Sequence, residues 1–312
     1  MRLVMMGTGP FAVPTYRGLY ETHHTVEALV TGPIRGKRPA ELGPMRDLAL
    51  SHGTGIFDPD DINSPQSQER LTAYGADLFV VCDYGQILAA PTLATARMGG
   101  INLHASLLPK YRGAAPINWA LLHGDLETGV SVIHMTPRVD AGPVIGQASL
   151  LIQPNETAVE LEARLAEIGA WLIRRSIDSL ESGILQALPQ NPALASKAPR
   201  LKKTDGAIDW SRSAEAIKNQ IRGLEPWPKT YTFWHRPGEP PLRLILGPAT
   251  AVEGTAASPG TVLEASGGRL IVAAGQQALQ LEGVQPSGKR LLSTAEFLRG
   301  YHVQPGQRFG PE

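Results

Sequence analysis

Short β-branched and apolar runs alternate with helical patterns through the first half of the chain, and few architectures accommodate that order. RLVMMG, TVEALV, ADLFVVC, GINLHASLL and GVSVIHM read as strands. MRDLALSHG, SPQSQERLTAYG and PINWALLHG read as helices between them. A crossover through a helix returns the chain to the sheet in its original direction, so such strands pair in parallel. The expectation is an α/β N-terminal domain with a Rossmann-like, mostly parallel sheet. Its clearest helix opens with a Thr-x-x-Glu capping box at Thr157 and Glu160. Leu161, Leu165, Ile168 and Leu172 then recur at helical spacing until Ser182-Gly183 stops the pattern.

The texture then changes. From Leu185 to Lys203 the periodicity disappears, and LPQNPALASKAPRLKK reads as a linker. Beyond it, LRLILGPATAV and GTVLEASGGRLIVAAGQQALQLEGV are short strands punctuated by Gly, Pro and Ser. One helix interrupts them, opened by a capping box at Ser293 and Glu296 and closed by Gly300. The expected division is a catalytic domain over 1–184, a linker over 185–205 and a small C-terminal β-barrel domain over 206–312. A length of 312 residues suits two cores better than one.

Charge limits the partners. Lys+Arg 29 balance Asp+Glu 29, so any nucleic-acid contact must rest on a local patch. The one cysteine, Cys82, excludes an internal disulfide framework and suits a reducing compartment. No run approaches the roughly 20 apolar residues of a membrane span. A soluble, cytoplasmic protein with no membrane contact is expected.

Two sites compete for attention. Gly7, Gly9 and Ala12 in GTGPFA follow a strand and fit the dinucleotide fingerprint G-x-G-x-x-G/A. The same residues suit a tight turn with Pro10 in the first helical turn. The acid that fingerprint wants about 20 residues later is missing, although Arg35, Lys37 and Arg38 suit a 2′-phosphate, which leaves an NADP-dependent oxidoreductase open. The second site is INLHASLLP. On a strand, alternation puts Asn102 and His104 on one face near its C-terminal end, the usual ligand edge of such a sheet. An amide donor beside a general base is an arrangement for acyl transfer. Asp140, in the turn-prone VDAGPV, supplies a carboxylate of the kind that orients an imidazole. A structural histidine and a solvated turn aspartate are the competing readings, and spacing alone does not bring Asp140 to His104.

NLHASLLPKYRGAAPINWALLHGDLETGV, followed by VDAGPV, resembles the signature of the folate-dependent formyltransferases. DLFVVCDYGQIL is similar to the loop that lines that family's folate pocket. GAIDWSRSAEAIKNQIRGLEPWP, PGTVLEA and LEGVQPSGKRLLSTAEFLRG are similar to its C-terminal domain, so the resemblance runs from end to end. It implies transfer of a formyl group from 10-formyltetrahydrofolate to the α-amine of methionyl initiator tRNA, by a monomer and without a metal. It also implies roles: Asn102 donating to the oxyanion, His104 moving protons, Asp140 holding His104. Asp83, Tyr84, Gly85, Gln86, Ile87 and Leu88 would form part of the pterin pocket. Ser106, Leu107, Leu108 and Pro109 would shape the folate site, while Tyr111, Arg112 and Gly113 would accommodate the aminoacyl end. A formyltransferase acting on an amino-sugar nucleotide shares this chemistry and stays open beside it.

Two features depart from the family pattern. Asp83-Tyr84-Gly85 stands where Ala-Tyr-Gly is usual, and the basic loop GPIRGKRPAELGP, with Arg35, Lys37 and Arg38 as its cations for the tRNA acceptor end, is shorter. Lys202, Lys203, Arg222, Lys229, Lys289 and Arg290 add cations to the C-terminal domain. Trp210, Trp227, Tyr231 and Trp234 interleave with some of them and read first as core residues.

Overall fold

The computed structural model describes residues 1–33, 43–184, 186–254 and 257–312. Helices α1 to α6 span Val13–Leu19, Pro44–Ser51, Pro65–Ala73, Ala90–Leu93, Pro116–His123 and Ala158–Glu181. Strands β1 to β7 span Arg2–Gly7, Thr25–Val30, Gly55–Phe57, Leu78–Cys82, Gly100–His104, Glu127–His134 and Val144–Leu151. The chain divides into two compact units. One comprises Met1–Pro116, Glu127–Leu151 and Leu161–Pro199, the other Ile117–Leu126, Ile152–Glu160 and Arg200–Glu312.

The first unit is built on one sheet of order β3-β2-β1-β4-β5-β6-β7. β1, β2, β3, β4 and β5 pair in parallel, while β5 with β6 and β6 with β7 are antiparallel. β1 and β4 are buried on both faces, which is why they read as unbroken apolar runs. β7 is an edge strand whose exposure alternates along much of its length, and its polar outer positions hid it from a search for apolar runs. Val4, Met6, Val30, Phe79 and Val81 pack on one face against Ile62 and Leu71. Each such burial contributes about 1.5–3 kcal/mol.

The second unit carries α7 (Ala214–Gly223), α8 (Thr294–Gly300) and β8 to β16: Thr230–His235, Leu242–Leu246, Ala249–Val252, Val262–Ser266, Arg269–Ala273, Ala278–Leu281, Gly283–Pro286, Leu292–Ser293 and Arg308–Gly310. They form sheets of order β10-β13-β12-β11 and β15-β14-β9-β8-β16. Hydrogen bonds from Val262 N–H to the Gln307 carbonyl and from Phe309 N–H to the Gly260 carbonyl join the edges β11 and β16. Gly247 N–H to the Gly283 carbonyl and Glu282 N–H to the Pro248 carbonyl carry the pairing from one sheet into the other. The small barrel closes over Trp210, Trp234, Phe297 and Phe309. Both buried indoles are satisfied inside it, Trp210 by Thr232 Oγ1 at 3.0 Å and Trp234 by Gln307 Oε1 at 2.9 Å. Trp227 differs, being 49% exposed.

Candidate active site

β5 delivers its side chains to the C-terminal edge of the parallel strands. Leu103 packs on α6, where a Cβ at Gly169 would lie 2.5 Å from Leu103 Cδ2. Strand alternation therefore turns Asn102 and His104 to the opposite face. Asn102 is half-buried, and its amide has no hydrogen-bond partner among the described residues. His104 is buried at 6% exposure.

The histidine is held from both ends. Its Nε2 lies 2.8 Å from the Tyr111 carbonyl. A carbonyl only accepts, so Nε2 carries the proton and Nδ1 is the basic nitrogen. Nδ1 faces Asp140 Oδ1 at 3.6 Å, in a pair whose side chains are 6% and 13% exposed. A proton carried by Nδ1 in the reaction would face that carboxylate directly across the enclosed pair. Asp140 Oδ2 is occupied by Gly113 N–H at 2.9 Å. Tyr111 at φ 62°, Asp140 at φ 50° and Gly113 at φ 126° all hold backbone conformations that L-residues adopt rarely. Strain of this kind persists only where surrounding contacts over-determine it.

Those contacts come from the segment expected to be a linker. Gln190 Nε2 donates to the Asp140 carbonyl at 2.9 Å and the Gly142 carbonyl at 2.8 Å. Its Oε1 accepts from Arg112 Nε at 3.1 Å and from a terminal guanidinium nitrogen at 2.6 Å. Ser196 Oγ accepts from Tyr111 N–H at 2.8 Å, and Ala198 N–H donates to the Arg112 carbonyl at 2.7 Å. Arg112, expected at the aminoacyl end, spends its donors on Gln190. Nothing in LPQNPALASK distinguishes Gln190 as a site residue, because its partners are far away in sequence.

Ser106 to Pro109 form a braced turn. Ser131, paired with His104 across β6, donates from Oγ to the Ser106 carbonyl at 2.6 Å and accepts from Leu108 N–H at 3.0 Å. Gln147 donates to Ser131 Oγ at 2.7 Å and to the Leu108 carbonyl at 2.9 Å. Ser106 Oγ closes the turn on the Lys110 carbonyl at 2.6 Å, and Leu107 packs over Gly129. The buried serine inside GVSVIHM was the one legible signal for this brace.

The Asp83 to Leu88 loop leaves β4 beside β5, with Cys82 opposite Leu103. Gln86 anchors it, accepting from Ile62 N–H at 2.9 Å and donating to the Pro59 carbonyl at 3.1 Å. Tyr84 and Leu88 are buried in the core, while Asp83, Gly85 and Ile87 face solvent. Asp83 is open to water on one side only, and the protein crowding its other side pushes its carboxyl above the usual range. Burial and then Asp83 raise Glu162 in the same direction.

GTGPFA belongs to this loop. Thr8 N–H donates to the Asp83 carbonyl at 3.0 Å, and a Cβ at Gly9 would lie 1.7 Å from Asp83 Oδ2. A carboxylate occupies the space a pyrophosphate would need, so the glycines serve close packing and the dinucleotide reading fails on both sterics and charge. Arg35, Lys37 and Arg38 lie outside the described residues. In the second unit Arg222 is buried at 9% exposure, donating to Asn219 Oδ1 and to the carbonyls of Gln153 and Glu156, which removes it from any surface patch. Lys229 and Arg290 pair with Glu225 at 3.4 Å and Glu296 at 2.8 Å.

Comparison with known proteins covers nearly the whole chain. Residues 1–177 match the formyl transferase model, and residues 200–302 match the model of the formyl transferase C-terminal domain. A methionyl-tRNA formyltransferase of Rhodopirellula baltica is 44% identical over 99% of this chain and 96% of its own length. That of Geobacter sulfurreducens is 39% identical over 99% and 97%. Among solved structures, an N-formyltransferase from Helicobacter canadensis, in complex with folinic acid and dTDP-3-aminofucose, superposes with a TM-score of 0.68 at 16% identity. It covers 91% of this chain and 98% of that one, a likeness of fold.

Proposed function

This chain belongs to the formyl transferase family, and on that premise we propose that it transfers the formyl group of 10-formyltetrahydrofolate to the α-amine of methionyl initiator tRNA. The observation that supports the site is the buried His104, with Nε2 pinned to a carbonyl and Nδ1 turned to Asp140, on the same strand face as the uncommitted Asn102 amide. The amine nitrogen forms a bond to the formyl carbon, and the carbonyl electrons move onto oxygen. Asn102 donates to that oxyanion, which is the charge that develops in the transition state. The attacking amine loses a proton, and His104 Nδ1 takes it while Asp140 stabilises the imidazolium. Collapse breaks the bond to N10 of the folate, and the proton passes from His104 to the departing nitrogen. Every proton and electron pair is accounted for by these three side chains.

The co-substrate fits the residues present. Exposed Ile87, with Gly85 beside it, offers a flat ring an apolar contact and close backbone approach next to β5. Asp83, solvent-facing at the start of this loop, offers an acceptor for the amino groups of a pterin. Gln86 and Leu88 hold the loop from below. The test is acceptor choice: labelled 10-formyltetrahydrofolate presented with methionyl initiator tRNA in one reaction and a dTDP-amino sugar in another. Label entering the tRNA alone supports the reading. Label entering the sugar alone replaces it with the amino-sugar reading.

A further inference from the structure

A cavity of about 290 Å³ opens beside the His104–Asp140 pair, lined by Arg112, Gly113, Val139, Ala195, Ser196 and Lys197. Its walls are fixed by backbone contacts. Arg112 and Lys197 form a parallel bridge, with Arg112 N–H donating to the Ser196 carbonyl at 2.8 Å. Gly113 lets the two segments meet, since a Cβ there would lie 2.5 Å from the Ala198 carbonyl oxygen. Gly113 N–H also holds Asp140, so the cavity shares a wall with the candidate catalytic pair.

The lining side chains that carry charge are both cations, with the Asp140 carboxylate held behind the shared Gly113 wall. Arg112 contacts the neutral Gln190, Lys197 is exposed, and neither has a carboxylate partner among the described residues. Val139, immediately before Asp140, is 54% exposed and adds an apolar surface. In a chain of no net charge, two unpaired cations around one cavity select an anion, and the apolar wall suits a ligand with a flat or hydrocarbon part. We propose that this cavity is a subsite for the phosphodiester next to the aminoacylated end of the acceptor strand, with Lys197 as its phosphate contact. The assignment rests on the tRNA reading above. The glutamyl carboxylates of the folate tail share the same chemistry, and the experiment separates the two.

The experiment measures KM for methionyl-tRNA, KM for 10-formyltetrahydrofolate and the salt dependence of the former, for wild type, Lys197→Ala and Lys197→Arg. A single-stranded phosphate contact contributes about 0.7 to the slope of log KM against log salt, and its loss weakens binding at every salt concentration below that at which the contact is screened out. The expected result is a tRNA KM raised and a slope reduced by about that amount in Lys197→Ala. Lys197→Arg should restore both, and the folate KM should not move. An unchanged tRNA slope overturns the proposal, and so does a defect that appears in the folate KM. Wild-type protein inactive on methionyl-tRNA would instead remove the functional reading on which it stands.

Discussion

Gln190→Ala is the perturbation that isolates how the catalytic pair is held. The side chain donates to the carbonyls of Asp140 and Gly142 and accepts twice from Arg112. Neutral hydrogen bonds contribute about 1 kcal/mol each and a charge-assisted one about 2 kcal/mol. The groups are only part-buried, so water recovers some of this, and the net loss is about 2–3 kcal/mol of restraint on the Asp140 turn. Asp140 Oδ1 and His104 Nδ1 stand 3.6 Å apart, and a further displacement of Asp140 leaves the imidazolium unsupported. A misplacement of about 1 Å costs roughly 100-fold in rate. The assay is formyl transfer at saturating folate and tRNA, with both KM values measured alongside. The expectation is kcat reduced about 30- to 100-fold with KM changed less than about threefold. Gln190→Glu should not rescue, because a carboxylate keeps the Arg112 contact but cannot donate to the two carbonyls. A folded Gln190→Ala variant with kcat within twofold of wild type would refute the reasoning.

Two further perturbations test the surroundings. Gly113→Ala places a Cβ 2.5 Å from the Ala198 carbonyl at a φ of 126°, and should cost about 1–3 kcal/mol in denaturant unfolding while reducing activity; a neutral substitution would contradict the close approach. Burial first, and then the neighbouring Met1 amino group and His23, hold His24 below the usual imidazole value, and burial does the same to His134. Each binds a proton less readily folded than unfolded, so their contribution is present above about pH 6.5 and is lost as pH falls below it. Urea unfolding from pH 7.5 to 5 should show this decline, and His24→Gln should flatten it.

The alternation of strands and helices was legible because period-2 and period-3.6 patterns reflect burial directly, and both capping boxes formed where Thr157, Glu160, Ser293 and Glu296 stood. The reversal of β6 was not, since a buried apolar run looks the same in either direction. Asn102 and His104 announced themselves as polar residues in an apolar strand. Asp140 was visible only as a turn aspartate, and its approach to His104 depends on Gly113, Gln190 and two unusual backbone conformations. Arg222 misled because charge in a sequence suggests a surface, whereas three acceptors within the fold satisfy it.

The most direct measurement is the single-turnover rate of formyl transfer from 10-formyltetrahydrofolate to methionyl initiator tRNA, for wild type, Asn102→Ala and His104→Ala, with substrate binding measured separately. The account predicts both variants bind both substrates yet transfer at least about 100-fold more slowly, as expected when an oxyanion donor or a proton carrier is removed. Transfer at the wild-type rate by folded His104→Ala would contradict it.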